Sequence, residues 1–376
     1  MYGVDASKKT ETLKKCYVVS ADKKLVKLWS GGFSNISYYS ALTPTRSATK
    51  SSFANVGDYA IFAGGTQLTG YMSGYIFSST DWVSTYDSSL TFATGNATLS
   101  NQRSDMASAS TSNHAFFAGG VTASLGANYQ HEVDVFDASL TRSVVSSLPT
   151  YASVGVCGLS MNGNAVFAGG TISGNYSTKI TVYDDSLTQT TYDSGLTSRS
   201  DTVGAAVGGY ALFAPATISG SATSTTVEVV DSSFTKINTQ ALTTTSSSLS
   251  KGFYAESVGD YAIFLQAGGG SQYRFVFDKS LTLSKTSATN VLNYATDAAS
   301  HTAVDGFAIF CHIVSSSATK KAYVYDQSLT LTTFDMEGTQ RDGSTAGHVG
   351  NYIIVYGGDD NTDSVMVKAA DVFQLS

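Results

Sequence analysis

The side chains of this chain that are suited to catalysis or metal binding are few and scattered. The five histidines stand at positions 114, 131, 301, 312 and 348, and the three cysteines at positions 16, 157 and 311. They form no His-Glu-x-x-His or Cys-x-x-Cys motif, and the chain has no P-loop and no Gly-x-Ser-x-Gly nucleophile turn. His131 and Glu132 are interpreted as a surface pair rather than a ligand site. We therefore expect no catalytic residue, no metal site and no cofactor, which predicts a protein that is not an enzyme.

Four arginines form a second group of candidates because each precedes an apolar segment of the chain. One interpretation is a polar ring that binds a glycan or an anionic group. The other is a set of Arg–Asp pairs that brace neighbouring units of the fold. Both interpretations remain open at the level of sequence. The arginines are Arg46, Arg103, Arg199 and Arg341, and the acidic residues near them are Asp105, Asp201, Asp297 and Asp342.

A third candidate is the aromatic stretch of residues 66–82, which carries Tyr71, Tyr75, Phe77 and Trp82. Exposed aromatic side chains can stack on sugar rings or anchor a protein interface. The same residues also fit a local cluster in which the rings fold against each other. These four aromatic residues and the four arginines are the candidate ligand-binding residues of the chain.

The candidates are set within a repeat that recurs seven times. Each copy has a short apolar run that ends in small residues, as in YAIFAGG at Tyr59, followed by an aromatic-Asp turn such as YDSSLT at Tyr86. Successive turn aspartates lie 50, 47, 47, 47 and 48 residues apart. A repeat of this length with several strands per unit is typical of a β-propeller. The turn aspartates are Asp87, Asp137, Asp184, Asp231, Asp278 and Asp326.

One unit predicts four antiparallel strands of falling hydrophobicity. Gly57-Asp58 predicts a hairpin turn, the apolar run after it predicts a strand buried on both faces, and Gly64-Gly65 predicts its end. The turn Asp is expected to accept backbone N–H groups. The last unit stops after its third strand, and residues 35–42 match the segment that forms an outer strand elsewhere. The expected fold is an all-β, seven-bladed propeller of four-stranded blades, closed by an N-terminal strand that joins the last blade.

The Gly-Gly that ends an apolar strand and the aromatic-Asp turn that follows it resemble the Kelch repeat. The FAGG and YDxSLT phrases resemble in particular the Kelch-like propellers of phage and prophage structural proteins of Firmicutes, over residues 35–376. The outer-strand Trp of standard Kelch repeats is missing, since Trp29 and Trp82 are the only tryptophans. The fourth to sixth units also lack Gly-Gly and carry Pro215, Gln266 and His312 there. The adaptor functions of standard Kelch domains are therefore not carried over.

Residues 1–33 are expected to form a separate basic segment ahead of a propeller domain of residues 34–376. Residues 1–30 contain seven Lys and three acidic residues, whereas the whole chain has a net charge of −7. Residues 16–29 predict a small hairpin, and the resemblance implies that this segment anchors the protein to other virion proteins. The acidic propeller argues against nucleic acid as a partner. We expect no signal peptide and no membrane insertion, because a signal-peptide core and a long apolar run are missing.

The resemblance implies a non-enzymatic protein of the phage virion, assembled in the host cytoplasm, as a part of the tail, a fibre or a capsid decoration. The face of the propeller that carries its long loops is expected to bind a host-surface glycan or another virion protein. Two alternatives remain, which are a carbohydrate-active propeller enzyme and a cellular protein-interaction scaffold. Cys157 and Cys311 fall within predicted strands and are expected to be buried.

Overall fold

The structure is a computed structural model whose described elements are all β-strands. These strands form seven antiparallel blades arranged in a closed propeller ring, which confirms the predicted fold. Among the described residues, no helix has the length and apolarity that crossing a membrane requires. The described residues are 15–19, 25–30, 36–42, 48, 50–71, 75–122, 128–150, 152–214, 217–218, 222–223, 226–242, 253–266, 273–287, 299–304, 306–313, 320–336, 343–358 and 370–375.

The first half of the strands comprises an N-terminal group and three blades. The N-terminal strands are β1 (Lys15–Val19), β2 (Leu25–Ser30) and β3 (Ile36–Leu42). Blade 1 has β4 (Ser52–Val56), β5 (Tyr59–Ala63), β6 (Thr66–Tyr71), β7 (Tyr75–Ser79), β8 (Trp82–Asp87) and β9 (Phe92–Thr98). Blade 2 has β10 (Ala107–Ser110), β11 (His114–Ala118), β12 (Val121–Thr122), β13 (Asn128–Tyr129), β14 (Val133–Asp137) and β15 (Arg142–Val145). Blade 3 has β16 (Val154–Met161), β17 (Asn164–Ile172), β18 (Asn175–Tyr176), β19 (Ile180–Tyr183) and β20 (Gln189–Tyr192).

The remaining strands belong to four further blades. Blade 4 has β21 (Arg199–Ser200), β22 (Gly204–Val207), β23 (Tyr210–Phe213), β24 (Thr217–Ile218), β25 (Ala222–Thr223), β26 (Thr226–Val230) and β27 (Lys236–Ala241). Blade 5 has β28 (Phe253–Val258), β29 (Tyr261–Gln266), β30 (Tyr273–Asp278) and β31 (Leu283–Ser287). Blade 6 has β32 (Ala299–Val304), β33 (Phe307–Ile313), β34 (Lys320–Tyr325) and β35 (Leu331–Asp335). Blade 7 has β36 (Thr345–Val349), β37 (Tyr352–Tyr356) and β38 (Ala370–Leu375).

The ring closes through the N-terminal strand, as the sequence predicts. The sheet order of blade 7 is β3-β38-β37-β36, so β3 supplies its outer strand. The pairing is antiparallel and runs from Ile36 opposite Leu375 to Leu42 opposite Ala370. Residues from both ends of the chain therefore share one blade. Ahead of the blades, β1 pairs with β2 in an antiparallel two-stranded sheet.

The hydrophobic core is divided among the interfaces between blades. Among the described residues there are seven buried clusters, each built from two neighbouring blades, and the seventh joins blade 7 to blade 1. In β5, Ala60 and Phe62 belong to the cluster with blade 7, whereas Ile61 and Ala63 belong to the cluster with blade 2. Successive side chains of a strand point to opposite faces. The centre of the second strand of each blade is therefore apolar at consecutive positions, because both of its faces are buried.

The repeated Asp-x-Ser-Leu-Thr segment is a turn between the third and outer strands. In blade 1 the Asp87 Oδ1 accepts the backbone N–H of Ser89 at 2.9 Å and of Thr91 at 2.8 Å. The Asp87 carbonyl oxygen accepts the N–H of Leu90, whose φ is +60°. The same bonds to the turn Asp recur in blades 2 to 6. The aspartates thus serve the turn, as the sequence indicates.

The variable second position of that turn contacts the preceding blade. The hairpin turn between the first two strands of blade 2 rests on Asp185 of blade 3, which accepts the Thr111 hydroxyl at 2.5 Å and the Asn113 N–H at 2.9 Å. These hydrogen bonds lower the pKa of Asp185 to about 2. A Cβ on Gly208 of blade 4 would lie 2.8 Å from that of Lys279 in blade 5. The position varies because each blade fits its own neighbour.

The Gly-Gly pair brings the end of the second strand against the next inter-blade segment. Gly64 has a φ of +63°, and a Cβ there would lie 2.4 Å from the Arg103 carbonyl oxygen. That oxygen accepts the Gly65 N–H at 2.9 Å. Gln266 and His312 take the place of the first glycine in blades 5 and 6, where they extend β29 and β33 and are buried. Pro215 lies outside the described residues. Cys157 and Cys311 are buried as predicted, and burial raises the pKa of both thiols to about 12.

Candidate functional site

One face of the ring carries β-hairpins, and we call it the loop face. It is formed by the connections between second and third strands together with the segments between blades. Four consecutive blades extend this connection as paired strands, namely β6–β7, β12–β13, β17–β18 and β24–β25. The strands of a blade alternate in direction, so all four hairpins emerge on the same face. The sequence analysis selects this connection only in blade 1, for its aromatic residues.

Neighbouring elements of the loop face are hydrogen-bonded to each other. The Ser79 hydroxyl of β7 donates to the Val121 carbonyl oxygen of β12 at 3.2 Å, which joins the hairpins of blades 1 and 2. Val121 also exchanges backbone hydrogen bonds with Ser104 in the segment between these blades. In blade 4, β21 pairs with β24 through Arg199 opposite Ile218. Between the following blades, the Gly120 N–H donates to the Ser153 carbonyl oxygen at 2.8 Å and the Arg199 N–H to the Ser177 carbonyl oxygen at 3.2 Å. The loop face is therefore a connected surface rather than a set of independent loops.

The predicted aromatic candidates belong to the first of these hairpins. Tyr71 and Tyr75 are paired next to its tip, and their side chains lie outside the described part of the structure. Phe77 on β7 and Trp82 at the start of β8 are both half-buried. Tyr129 on β13 is 37% exposed, and the sequence analysis overlooks it because it stands outside the long aromatic stretch. The loop face thus presents aromatic surface from two adjacent blades.

Arg103 does not face solvent. Its guanidinium is fully buried and lies 2.6 Å from the Asp134 carboxylate of β14, which is also fully buried. It also donates to the Glu132 carbonyl oxygen at 2.8 Å. Burial lowers the pKa of Arg103, and the nearby Asp134 opposes that shift. Asp134 also accepts Arg142 at 3.0 Å, so its charge is balanced from two sides.

Arg199 repeats this arrangement two blades further on. Its buried guanidinium pairs with the Glu228 carboxylate of β26, which Lys236 also contacts at 3.1 Å. Thr197 donates to the same carboxylate through its N–H at 3.0 Å and its hydroxyl at 2.8 Å. Burial opposes ionisation of Glu228, but the charge of Arg199 and the hydrogen bonds from Thr197 and Lys236 outweigh burial and lower its pKa. Each arginine is therefore held inside a network of charge-assisted hydrogen bonds.

Both arginines connect neighbouring blades. The Arg103 N–H donates to Thr80 of blade 1, and the Arg199 N–H donates to Ser177 of blade 3, while each side chain enters the following blade. This geometry supports the bracing interpretation for these two residues. Their acidic partners are not the expected Asp105 and Asp201, because a carboxylate on the third strand lies nearer the buried guanidinium. Arg46, Arg341, Asp297 and Asp342 lie outside the described residues.

Pairs of positions within the repeat support the same interpretation. Arg103 and Arg199 stand eleven residues before the apolar run of their blades, as Arg341 does in sequence. The position opposite the fourth residue of that run is acidic in these three blades, with Asp134, Glu228 and Asp371. In blades 1, 3, 5 and 6 neither position is charged. The residues opposite the run are Ser84, Thr181, Phe275 and Tyr323. The residues at the arginine position are Ala48, Ser153, Ser250 and Thr296. Arginine and acid thus occur together or not at all.

A cavity of about 570 Å³ lies on the axis of the ring, bounded by the first strands of all seven blades. Its wall has two different halves. Blades 2 to 4 contribute small residues, which include Ser108, Ser110, Gly158, Ser160, Gly204 and Ala206. Blades 5 to 7 and blade 1 contribute larger polar and aromatic residues, which include Tyr254, Glu256, His301, Thr302, His348 and Asn55.

A carboxylate and an imidazole form the most polar part of this wall. Glu256 Oε1 of β28 lies 2.8 Å from His301 Nδ1 of β32, and both side chains are partly exposed to the cavity. The His301 ring packs against Tyr254 with 5.7 Å between centroids and against Phe310 with 6.0 Å. The pair therefore joins blades 5 and 6 and is held in a defined orientation.

A second histidine links the blades on either side of the ring closure. His348 Nδ1 lies 2.8 Å from the Thr302 hydroxyl, and its Nε2 lies 3.2 Å from Asn55 Nδ2. The Asn55 Oδ1 accepts the Ser110 hydroxyl at 3.2 Å. This chain of hydrogen bonds crosses blades 6, 7, 1 and 2 in order. It continues to blade 3 through Ser160, whose hydroxyl donates to Ser110 O at 2.7 Å.

The sequence analysis did not select Glu256, His301 or His348. A partial signal exists, because the residue four positions before each apolar run lines the cavity. That residue is small in five units but is Asn55 in the first and His348 in the last. Among the described residues no group of His, Cys, Asp and Glu side chains is arranged to hold a metal ion. The chain matches no known protein-family profile and no curated protein.

Proposed function

We propose that this chain is a Kelch-like propeller of a phage particle, a non-enzymatic structural protein whose loop face binds a host-surface glycan. The observation that carries the proposal is the connected loop face, on which four adjacent blades extend hairpins. Hydrogen bonds between neighbouring elements restrict such a surface, which reduces the entropy lost when a ligand is bound. Its position within the virion, in the tail, a fibre or a capsid decoration, follows from the resemblance of the repeat phrases alone.

The chemistry of the loop face supports a glycan as its ligand. Tyr129 is exposed, and Phe77 and Trp82 are half-buried. Partly exposed aromatic rings bind the apolar faces of sugars, and the hydroxyl groups of sugars bind Ser, Thr and Asn side chains. The buried arginines do not offer an anion site on this face, since Arg103 and Arg199 are already paired.

The N-terminal segment has a different proposed role. Residues 1–33 contain a two-stranded hairpin and most of the Lys residues near the start of the chain. We assign it to attachment, with other virion proteins as partners. Phage particles assembled with a chain that lacks residues 1–33 should therefore lose this protein, whereas the isolated propeller should remain folded. Particles that retain the truncated protein would contradict the attachment role.

A binding experiment with the full chain tests the glycan proposal. The labelled protein is titrated with purified Gram-positive wall polysaccharides, teichoic acids and peptidoglycan fragments. At least one preparation should bind, and Tyr129→Ala and Trp82→Ala should each weaken that binding by about tenfold, as loss of an aromatic anchor does. Val144→Ala is the matched control, because Val144 is exposed on the outer strand β15 away from the loop face. Cleavage or oxidation of a bound glycan by the pure protein would contradict the non-enzymatic role.

A further inference from the structure

The axial cavity has the size of a small-molecule site. Its volume of about 570 Å³ falls within the range of roughly 300–1,000 Å³ that ligand pockets occupy. The small residues of blades 2 to 4 leave this space open, and Gly347 admits the Phe53 ring, since a Cβ on Gly347 would lie 2.3 Å from that ring. Phe53 and Tyr254 then provide aromatic surface on the wall of the cavity.

The polar groups of the wall include atoms with no protein partner in the described part of the chain. Glu256 binds His301 through Oε1 alone, and His301 binds Glu256 through Nδ1 alone. Glu256 Oε2 and His301 Nε2 therefore remain available on residues that line the cavity. Ser300 also lines the cavity, is only 8% exposed, and has a hydroxyl without a hydrogen-bond partner among the described residues. The Ser300 hydroxyl therefore lacks the hydrogen bond that a buried polar atom normally has. The Glu256 and His301 atoms belong to side chains that are partly exposed on the cavity wall, where a bound molecule can reach them.

The donor and acceptor pattern selects the class of that molecule. A metal ion would need several charged or imidazole ligands, and the described wall holds no such group. An anion would be repelled by Glu256, while a cation would find one carboxylate that His301 already occupies in part. A hydroxyl group both donates and accepts, so it fits a carboxylate oxygen, an imidazole nitrogen and a serine hydroxyl alike.

We infer that the axial cavity binds a small polyhydroxylated ligand, of the size of a monosaccharide or disaccharide, through the Glu256–His301 pair. Aromatic rings next to hydrogen-bonding groups suit such a ligand, because its C–H faces are apolar and its edges are polar. The cavity site is separate from the loop face, and it does not depend on the function proposed for that face. Its volume suits a ligand of this size rather than a whole polysaccharide.

Calorimetric titration of the full chain with glucose, galactose, N-acetylglucosamine and myo-inositol tests the inference. At least one of these probes should bind with a Kd of about 10 mM or tighter. Glu256→Gln should weaken the binding by about tenfold, because the ligand then donates to a neutral amide oxygen instead of a carboxylate. Ala206→Leu should weaken it by reducing the volume of the cavity. Tyr129→Ala on the loop face and Asp335→Asn, in an exposed pair on the outer strand β35, are the controls that should leave the affinity unchanged.

Histidine NMR on the unmodified chain gives a reading that does not depend on the folding of a variant. The imidazole signals of His301 should shift on titration with the probe that binds, whereas those of His131 on the loop side of blade 2 should not. Failure of all four probes to bind at about 10 mM would overturn the inference. It would equally be overturned by binding that Tyr129→Ala abolishes and Glu256→Gln leaves intact, since that result places the sugar on the loop face.

Discussion

The Arg103 guanidinium lies 2.6 Å from the Asp134 carboxylate, and neither side chain is exposed to solvent. The backbone of Arg103 is bonded to blade 1 while its side chain is buried in blade 2. The ion pair therefore fixes one blade against the next, and Arg199 with Glu228 does the same between blades 3 and 4. Bracing thus accounts for Arg103 and Arg199, the two candidate arginines that the structure describes, and the aromatic loop face and the axial cavity are the ligand sites that we propose.

Removal of one partner of this pair should strongly destabilise the protein. Arg103→Met leaves the Asp134 carboxylate buried with Arg142 as its remaining cation, and breaking a buried pair from one side costs about 3–5 kcal/mol. The measurement is the midpoint of urea unfolding, followed by tryptophan fluorescence and circular dichroism. Arg142→Met is the matched control, since Arg142 is partly exposed and should lose no more than about 1 kcal/mol.

The double variant Arg103→Met with Asp134→Leu separates pairing from packing. An uncharged pair of similar volume should recover a large part of the lost stability, because neither charge is then left buried alone. If the stability lost in the double variant equals the sum of the losses in Arg103→Met and Asp134→Leu alone, the two residues do not act together.

The glycine pair should tolerate no side chain where it meets the inter-blade segment. Gly64→Ala places a Cβ 2.4 Å from the Arg103 carbonyl oxygen at a residue whose φ is +63°. Strain and steric overlap together should cost about 2–4 kcal/mol. Gly163→Ala is the control, because its φ is +78° but no atom lies within 4 Å of the added Cβ, so about 1 kcal/mol is expected. Equal losses of unfolding free energy in Gly64→Ala and Gly163→Ala, measured by urea unfolding, would show that the inter-blade contact contributes nothing.

Much of this fold can be read from the sequence because the repeat is a local pattern. The Asp turns and the apolar second strands can each be recognised within a single unit. The closing strand β3 can be predicted because the last unit lacks its fourth strand. The partner of Arg103 could not be found by proximity, since Asp134 is 31 residues away. It could be found by comparing the units, because arginine and acid vary together among the blades.

The turn contact of Asp185 should make part of the stability dependent on pH. Hydrogen bonds from Thr111 and Asn113 lower the pKa of this group to about 2 from its ordinary value of 3.8. Its contribution is therefore complete above about pH 4 and is lost as the pH falls towards about 2. Asp185→Asn should lower the melting temperature at neutral pH, and the difference from the unmodified chain should narrow below pH 4.

A matched substitution isolates this effect from general acid sensitivity. Asp193 is 83% exposed and pairs with Lys179 at the protein surface. Asp193→Asn should therefore leave the melting temperature almost unchanged at every pH. A deficit for Asp185→Asn that stays constant from pH 6 to pH 2 would contradict the assigned role of its ionised carboxylate.

Truncation from the N-terminus should separate the hairpin from the closing strand. A chain that begins at residue 34 keeps β3 and should unfold at the same temperature as the full chain. A chain that begins at residue 43 loses the outer strand of blade 7 and exposes the edge of β38. Its melting temperature should fall by about 5 °C or more. Identical melting curves for the two truncated chains would contradict closure by β3.

The polar pair of the axial cavity could not be predicted from the sequence. Glu256 and His301 stand five and six residues before the apolar runs of their blades, so they do not occupy equivalent positions in the repeat. Their contact depends on how blade 6 is turned relative to blade 5. The hairpins of blades 2 to 4 are similarly hidden, since strands of two residues such as β12 and β13 carry no periodic pattern of their own.

The most direct test of the proposed function is the binding of the full chain to wall glycans of Gram-positive bacteria, measured with the unmodified protein and with Tyr129→Ala, Trp82→Ala and Val144→Ala. The proposal predicts that at least one glycan preparation binds, that both loop-face variants bind it about tenfold more weakly, and that Val144→Ala binds it normally. Absence of binding to every preparation, or equal binding by all four proteins, would contradict a glycan-binding loop face.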